Sequence, residues 1–384
     1  MAAMYSTAGY GRMVADRVRM AAYEAALAAT VRPGCVVVDL GTGTGVAACL
    51  AARMGARHVY AIESAGAAIQ VAREVAAANG LAGRITFFHA WSREVTLPER
   101  ADVIVSDVRG VLPMLGTGLA DLGDARARFL APGGTLIPLR DRVYAAPVEA
   151  PEAWARSVTP SDADAFGLNL EPARRAAADA WYQVHFAAEA PLSPPAPWFE
   201  VDYADPRSAS FSADLSWTVA RDGEGHGIAA WFDAELAPGI GFSSAPGAPR
   251  VLYGQAFFPW PRPVALSAGD TVAATMRAHP VGNEWVWEWR TTVTAASGGE
   301  KARFRQSTLR NVIPSPGTLR RGAPSFAPRP SGDAEMLRHV LAAMDGERTV
   351  AQIADDVAAR FPGRFPSPDA ALGRVAQISR EWSR

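Results

Sequence analysis

A short glycine-rich segment carries the clearest chemical signal in this sequence. Three branched apolar residues at 36–38 lead to Asp39 and then to three glycines at alternate positions, Gly41, Gly43 and Gly45. The apolar run predicts a short buried strand. Because glycine has no Cβ, the backbone after this strand is free to turn tightly and to approach a ligand closely. The pattern indicates a binding loop at the end of a strand.

The segments after the glycines indicate what this loop binds. Residues 46–55 predict a helix, whose first N–H groups lack partners within the helix and would face the ligand. Residues 59–62 predict a second strand, and Glu63 at its end has a carboxylate that suits the two hydroxyls of a ribose. We therefore predict a nucleotide-binding βαβ unit. Dinucleotide loops have the spacing G-x-G-x-x-G, but here the third glycine comes one residue earlier. This spacing resembles motif I of the class I S-adenosylmethionine (SAM) methyltransferases and favours SAM over NAD.

The composition and net charge of the chain indicate its compartment and exclude some classes of partner. The chain has 384 residues, enough for roughly two to three domains, and its net charge of −1 provides no basic field for nucleic acid. Cys35 and Cys49 are the only cysteines, and no set of residues has the spacing of metal ligands. No signal peptide or membrane-spanning apolar run is evident. We expect a cytoplasmic protein without a metal, a nucleic-acid partner or a membrane partner.

The order of predicted elements divides the chain into four parts. After a helix predicted over Arg12–Thr30, strands and helices alternate up to residue 138, which predicts a doubly wound, Rossmann-like parallel sheet. Short strands such as Val251–Phe258 predict an antiparallel β-barrel over 139–313, with a helical excursion at about 167–186. Residues 314–332 are rich in proline and predict a linker. Residues 333–384 predict three amphipathic helices.

Over roughly residues 10–312 the sequence resembles the protein arginine methyltransferases. The first helix fits the family segment ML-x-D-x-x-R-x-x-x-Y, which gives Met13, Asp16, Arg19 and Tyr23. Three barrel strings then follow in the family's order, namely HGIAAWFDAEL, FSSAPGAPR and GQAFFPW. The excursion at 167–186 lies where the family carries its dimerisation arm. The resemblance therefore implies a homodimer.

The resemblance also implies which residues hold SAM. Arg19 would pair with the carboxylate of the methionine part, since a guanidinium fork suits a carboxylate, and Met13 would pack near the sulfonium. Taken alone, Arg19 could equally be an exposed helix residue. Trp91 and Ser92 follow the third strand, where family members contact the adenine, and Trp91 either stacks on the base or packs in the sheet. The predicted site for SAM, and for its product S-adenosyl-L-homocysteine, is completed by Asp39, Gly41, Gly43, Gly45, Glu63 and Ser106.

The resemblance breaks at the residues that select the methyl acceptor. Family members grip the substrate guanidinium with two glutamates that have eight residues between them, and a gap-free alignment places Asp107 and Gly116 there. The family's Thr-His-Trp triplet is replaced by Val251-Leu252-Tyr253. A buried guanidinium with half of its acceptors missing costs roughly 3–5 kcal/mol. We predict an acceptor other than a guanidinium, with Asp107 as the catalytic residue that positions an amine or takes a proton from a hydroxyl. The alternative is a plain loop aspartate.

Three further features near these segments have open roles. Arg109 pairs either with Asp107 or with a substrate carboxylate. His226, in the predicted barrel, fits a structural role better than a catalytic one. The tryptophans of the barrel string WVWEW alternate along one strand, which places them on one face, in the barrel core or against the arm.

The C-terminal segment has a resemblance of its own. Residues 336–361, with the turn Asp345–Val350 and an Ile-x-x-x-Val helix, resemble the small winged-helix PqqD-like domains. Modules of that family capture the leader peptide of a ribosomally made precursor by adding it to a sheet edge. A purely packing role and DNA binding are the alternatives, and the absence of a basic recognition helix disfavours DNA.

These observations predict a SAM-dependent methyltransferase that modifies a peptide or protein at a non-guanidinium acceptor. The C-terminal resemblance adds a role in the maturation of a ribosomally synthesised natural product, with a leader-bearing precursor as the partner. Transfer would be direct and in line, with most of the rate enhancement from positioning. Two alternatives remain. One is a genuine protein arginine methyltransferase with an altered acidic clamp, and the other is a non-catalytic partner that binds SAM or a peptide.

Overall fold

The structure, a computed structural model, describes residues 7–158, 167–205, 211–281, 284–311, 320–321 and 324–383. Contacts between residues divide the chain into two units, Met1–Val312 and Ile313–Arg384. Within the described ranges, every helix is too short or too polar to cross a membrane.

A parallel sheet of five strands forms the first part of the first unit. Its strands are β1 (Val36–Leu40), β2 (His58–Glu63), β3 (Ile85–His89), β4 (Ala101–Ser106) and β5 (Leu130–Ile137), in the order β3-β2-β1-β4-β5. The helices of this part are α1 (Thr7–Ala15), α2 (Arg17–Thr30), α3 (Val46–Arg53), α4 (Gly66–Ala78) and α5 (Gly118–Phe129). All five residues of β1 are buried, as a strand covered on both faces requires. The predicted parallel sheet is confirmed.

The single helix predicted over Arg12–Thr30 is wrong, because the structure has a break at Asp16. The Oδ1 atom of Asp16 caps α2 by accepting a hydrogen bond from the backbone N–H of Arg19 at 3.1 Å. Its Oδ2 atom accepts another from the backbone N–H of Leu252 at 2.7 Å. Since both carboxylate oxygens bind backbone N–H groups, this aspartate ends one helix and begins the next.

Two antiparallel sheets form the second part of the first unit. One has the order β7-β12-β10-β6-β8 with β11 beside β10, and the other has the order β15-β14-β13-β9. The helices of this part are α6 (Pro151–Val158), α7 (Glu171–Ala178) and α8 (Thr308–Asn311). The strands are β6 (Arg140–Val148), β7 (Tyr182–Val184), β8 (Ala196–Asp202), β9 (Phe211–Thr218), β10 (Gly223–Ala237), β11 (Ile240–Ser243), β12 (Gln255–Leu266), β13 (Thr271–Val281), β14 (Glu284–Ala295) and β15 (Gly299–Ser307). The predicted antiparallel architecture is confirmed.

Aromatic side chains join these two sheets. The ring of Phe258 on β12 lies 5.3 Å from that of Trp289 and 5.6 Å from that of Trp287, both on β14. Trp287 also lies 6.3 Å from Trp181, in the segment that follows α7. Both predicted environments of the alternating tryptophans are therefore present, the barrel core and the excursion. Ring contacts of this kind add to the free energy gained by burying apolar surface.

Two predicted elements differ from the structure in the barrel. The strand predicted over Val251–Phe258 begins only at Gln255, because Gly254 has a φ angle of 57° and residues 251–254 form a turn. The excursion is helical only over Glu171–Ala178. It then enters β7, whose backbone pairs with β12. These pairings fix the excursion against the barrel.

Residues 324–383 of the second unit contain three helices, as predicted. They are α9 (Gly332–Ala343), α10 (Val350–Arg360) and α11 (Pro368–Trp382), and each begins at a Ser or Thr whose side chain accepts a backbone N–H. Their shared core includes Val340, Val357 and Val375. Residues 324–383 contain no strand, so the predicted winged helix lacks its sheet there. The predicted linker at 314–332 lies partly outside the described residues.

We expect Gly45→Ala to destabilise the first unit by about 1–3 kcal/mol. Gly45 precedes α3 with a φ angle of 81°, and an added Cβ would lie 2.9 Å from the Cβ of Ala72 on α4. Thermal unfolding measures the effect. Gly83→Ala is the control, since Gly83 has no neighbour within 4 Å of an added Cβ. Equal midpoints for the two variants would contradict the expected clash.

Candidate active site

The predicted binding loop lies where the strand order of the parallel sheet reverses. From β1 the sheet continues through β2 on one side and through β4 on the other, and ligands of such sheets bind outside this point. The backbone N–H groups of Gly41 and Thr42 both donate to the carbonyl of Ile62, at 2.9 and 3.0 Å. These bonds hold the loop over the carboxyl end of the sheet.

Glu63 and Gly43 are held together in this loop. The Oε2 atom of Glu63 accepts a hydrogen bond from the Gly43 N–H at 2.9 Å, and Oε1 accepts one from the Ala65 N–H at 2.8 Å. An added Cβ on Gly43 would lie 2.8 Å from the ring of Tyr10. An ionised carboxylate has about four acceptor positions. Glu63 is therefore fixed in place and keeps acceptor positions for ligand hydroxyls.

Asp39 organises the start of the loop. Its Oδ2 atom accepts hydrogen bonds from Thr42 Oγ1 at 2.5 Å and from the Ala48 N–H at 2.8 Å. Burial raises the pKa of Asp39 to about 6, although both hydrogen bonds act to lower it. The side chain thus connects the end of β1 to the first turn of α3.

Arg19 is buried, so its interpretation as an exposed helix residue is wrong. Its Nη1 atom pairs with Asp107 and its Nη2 atom donates to the backbone carbonyl of Met13. Burial acts to lower the pKa of Arg19, but the carboxylate of Asp107 acts to raise it by more. The net pKa therefore lies above the ordinary value of an arginine side chain. The Nε atom is buried without a hydrogen-bond partner in the described part of the chain. A buried N–H of this kind suits an acceptor supplied by a ligand.

Asp107 is a partly buried carboxylate with three partners. Its Oδ2 atom accepts from Arg19, and its Oδ1 atom accepts from the Tyr253 hydroxyl at 2.6 Å and from Arg109 Nε at 3.3 Å. Burial raises the pKa of Asp107, but the two guanidinium groups lower it more, to below its ordinary value. The group is therefore ionised near neutral pH, and most of its acceptor positions are in use.

Arg109 extends this network into the barrel. Its Nη1 atom donates to Asp141 Oδ1 at 2.9 Å, and its Nη2 atom donates to the Tyr23 hydroxyl at 2.5 Å. The Tyr203 hydroxyl donates to Asp141 Oδ2 at 2.6 Å. Arg109 and Asp141 are both buried. Pairing with Asp107, one of the two alternatives for Arg109, is present, and Asp141 on β6 is an additional partner.

A cavity of about 400 Å³ lies beside the loop and the network. Its lining includes the predicted residues Met13, Gly41, Glu63, Trp91, Ser92 and Asp107. An adjoining recess includes the predicted residues Arg19, Asp39, Gly43 and Ser106. The structure thus brings the predicted residues together, whereas Gly45 packs behind them against α4.

Trp91, Ser92 and Ser106 differ in how they contribute to these linings. The side chain of Trp91 is 61% exposed, so its alternative placement inside the sheet is wrong. Ser92 is buried, and its carbonyl accepts a hydrogen bond from Arg128 at 2.8 Å. The Ser106 hydroxyl donates to the carbonyl of Leu40 at 3.0 Å, which joins β4 to β1 at the site.

Three residues of the site have no counterpart among the residues predicted from the sequence. Tyr10 lines both the cavity and the recess and covers Gly43. Asp141 and Tyr203 complete the pairing of Arg109. An aspartate at the start of a barrel strand was the available signal for Asp141, because a charge facing a core needs a partner.

The remaining candidate residues have structural environments. His226 is buried, and its Nδ1 atom accepts a hydrogen bond from the Ala150 N–H at 3.2 Å, which supports a structural role. Cys35 and Cys49 are free thiols. In the described ranges, no group of His, Cys, Asp and Glu side chains could hold a metal ion.

Two protein-family models match consecutive parts of the first unit. Residues 22–138 match the family of ribosomal protein L11 methyltransferase (PrmA), and residues 141–286 match the arginine methyltransferase oligomerization subdomain. The first match spans the parallel sheet and the second covers most of the barrel.

Proteins named as arginine methyltransferases align with long stretches of this chain. The probable histone-arginine methyltransferase 1.4 of Arabidopsis thaliana is 32% identical over 284 residues, which are 70% of this chain and 53% of that protein. Protein arginine N-methyltransferase 1 of Schizosaccharomyces pombe is 28% identical over 254 residues, or 64% of this chain and 73% of that protein. The chain spans about half of the length of several such relatives.

Among solved structures, the Trypanosoma brucei PRMT1 enzyme–prozyme heterotetrameric complex with AdoHcy has a similar fold. The TM-score is 0.72 at 20% identity, and the similarity covers 79% of this chain and 99% of that one. The parallel sheet and the first family match define a class I methyltransferase fold. With the oligomerization subdomain and these relatives, residues 22–286 are similar to the protein arginine methyltransferases.

We expect Asp141→Ala to lower the thermal midpoint of the first unit by roughly 6 °C or more, since breaking a buried ion pair costs about 3–5 kcal/mol. The variant leaves Arg109 buried with one carboxylate fewer. Asp124→Ala is the control, because Asp124 forms a partly exposed pair with Arg128 and should change stability by less than about 1 kcal/mol. Similar midpoints for both variants would contradict the structural importance of the buried pair.

We expect Asp39→Asn to stabilise the protein near pH 7.5, with the difference shrinking as the pH falls below about 6 and vanishing near pH 4. The folded-state pKa of about 6 exceeds the unfolded value of about 3.9, so folding takes up a proton between these values. The wild type therefore loses stability as the pH rises from about 4 to about 6, whereas the asparagine variant has no such loss. Thermal midpoints of both proteins from pH 4 to 8 measure this. A difference between midpoints that does not change with pH would contradict the raised pKa.

Proposed function

We propose that this protein is a SAM-dependent methyltransferase that modifies a protein or peptide. The observation that carries the proposal is the convergence of Glu63, the glycine loop, Arg19 and Asp107 on adjoining cavities at the sheet reversal. A methyltransferase of this fold needs one group of residues for the nucleoside and another for the amino-acid end of the cofactor. Both groups are present in this chain.

The residues of the site fit SAM. Glu63 is held by two backbone N–H groups and keeps acceptor positions for the ribose hydroxyls. The buried Nε atom of Arg19 has no hydrogen-bond partner among the described residues, although Asp16 Oδ2 lies 4.0 Å away, and this N–H suits the carboxylate of the methionine part. Trp91 is exposed at the cavity lining, in a position to stack on the adenine, and Met13 lines both the cavity and the recess. When bound, SAM supplies an electrophilic methyl group on its sulfonium.

Family relationships favour a protein substrate and arginine as the acceptor. The relatives are named as arginine methyltransferases, and one solved structure with this fold contains AdoHcy. These comparisons support a genuine arginine methyltransferase with an altered clamp better than the non-guanidinium acceptor that the sequence analysis predicted. In this reading, Asp107 would provide the first carboxylate of the clamp.

One observation of the site favours a different acceptor class. Asp107 already has three donors, two of them cationic, and Gly116 stands at the position of the second glutamate. A cationic acceptor would enter a site that contains Arg19 and Arg109 and would find no second acid from the loop. An uncharged amine or a hydroxyl needs no countercharge and only one acceptor position of Asp107. The carboxylate would then orient this acceptor group for attack on the methyl group. A non-guanidinium acceptor is therefore the second candidate.

We also propose an oligomeric state and a class of partner for this protein. The match to the oligomerization subdomain supports a homodimer. Capture of a leader peptide by the second unit, and with it a role in natural-product maturation, rests only on the sequence resemblance of residues 336–361. The described part of that unit is helical, so strand addition has no sheet edge there. A non-catalytic SAM-binding partner remains the alternative from another class.

Transfer of a deuterated methyl group tests the proposal. The full chain is incubated with methyl-deuterated SAM and a peptide library or a lysate, and labelled residues are identified by mass spectrometry. Label on arginine would establish an arginine methyltransferase with an altered clamp. Label on another amine or on a hydroxyl would establish the second candidate, a non-guanidinium acceptor. Label that is lost in mild base would identify a carboxylate ester. SAM binding without any label would favour the non-catalytic partner.

We expect Asp107→Asn to reduce methyl transfer roughly 100-fold or more while SAM binding is retained. The variant removes the charge that orients the acceptor. It also removes the nearer of the two carboxylates that pair with Arg19, since Asp16 Oδ2 lies 4.0 Å from Nε, so Arg19 remains available to the cofactor carboxylate. Isothermal titration with SAM and initial rates with labelled SAM measure the two effects, with Asp124→Asn as the control. Undiminished turnover would remove Asp107 from catalysis.

A further inference from the structure

A second cavity, of about 570 Å³, adjoins the acceptor side of the site. It shares Leu115 and Gly116 with the cofactor cavity, so the loop after β4 forms part of the wall of both. Tyr253 also lines it, and the hydroxyl of this tyrosine donates to Asp107 at 2.6 Å. A group in this cavity would therefore lie next to whatever Asp107 orients.

The walls of this second cavity are mainly aromatic and aliphatic. Aromatic side chains come from the segment after α7 and from β14, namely Trp181, Tyr182, Trp285 and Trp287. Among its described lining residues, Arg12 and Glu284 have opposite charges. Because their formal charges cancel, a charged guest would lose its hydration without meeting a net countercharge.

A hydrogen bond explains how this aromatic wall replaces an acidic one. The indole Nε1 atom of Trp285 donates to the backbone carbonyl of Gly116 at 3.0 Å. Gly116 has a φ angle of 50° and stands where the aligned family clamp has its second glutamate. With no side chain at this position, the barrel tryptophan reaches the backbone of the loop, and the surface offered to a substrate is apolar.

We propose that this second cavity binds a large apolar side chain of the peptide substrate, adjacent to the residue that receives the methyl group. The inference rests on the proposed function and narrows its substrate class. Tyr253 lines this cavity and its hydroxyl binds Asp107, so a guest there would lie one side chain away from the carboxylate that orients the acceptor. Concave apolar walls with a few polar groups are typical of a specificity pocket.

The test compares peptide selection by wild-type protein and by Trp285→Glu. A randomised peptide library is incubated with the full chain and methyl-deuterated SAM, and residues that flank the labelled position are counted. We expect wild type to enrich Phe, Trp, Tyr or Leu at one flanking position. The glutamate variant should lose roughly 10-fold in kcat/KM for such peptides and accept Lys or Arg there instead. Trp382→Glu, on the exposed end of α11, is the control and should select as wild type does.

Two further variants keep the test decisive. Trp285→Phe loses the hydrogen bond to Gly116 but keeps an apolar wall, so it should retain the wild-type selection. Trp181→Glu places the new charge on a different wall and replaces Trp285→Glu if the latter fails to fold. Labelled peptides with no apolar enrichment, or with the same enrichment in the glutamate variants, would overturn the pocket but leave the methyltransferase proposal intact. An absence of label with every peptide would overturn both proposals.

Discussion

The partly buried carboxylate of Asp107 is the interaction on which the arrangement of the first unit depends. Arg19 reaches it from α2, and Tyr253 reaches it from the turn before β12. Arg109 binds it and also binds Asp141 on β6. With Asp16, which lies 4.0 Å from Arg19 Nε, two guanidinium groups and three carboxylates thus compensate one another across the boundary between the parallel sheet and the barrel. Unpaired charges in such a place would cost several kcal/mol each, so the charge balance itself fixes how these elements meet.

The cofactor side of the site depends instead on the backbone. Glu63 and Asp39 are each held by N–H groups of the loop or of the following helix, and the loop N–H groups in turn bind the end of β2. Polar side chains that are already oriented lose little conformational freedom when a ligand arrives. This arrangement of the loop requires a glycine at position 43, because the ring of Tyr10 leaves no room there for a side chain. The loop is therefore preorganised to bind the cofactor.

Local patterns predicted the strands of the parallel sheet, the glycine loop and the three C-terminal helices, because each depends on periodicity or on residues close in sequence. They failed where a distant residue decides the conformation. The break at Asp16 requires the N–H of Leu252, which is 236 positions away. Tyr253 continues an apolar run and so suggested a strand, but its hydroxyl binds Asp107, 146 positions away. The partner of Arg109 on β6 is likewise a tertiary contact without a local signal.

The replacement of an acid by Gly116 affects two cavities at once. A cationic acceptor would enter beside Arg19 and Arg109, and this loop has no glutamate at position 116 to neutralise it. The same glycine allows Trp285 of the barrel to bind the loop backbone, so the space beside the acceptor acquires an aromatic wall. Both consequences favour an uncharged surface near the transferred methyl group. Similarity to the arginine methyltransferases favours arginine as the acceptor, and an arginine could enter only with Asp107 as its single carboxylate from this loop. The chemistry of the acceptor therefore depends on whether Asp107 can release Arg19 when the cofactor carboxylate offers that guanidinium another partner.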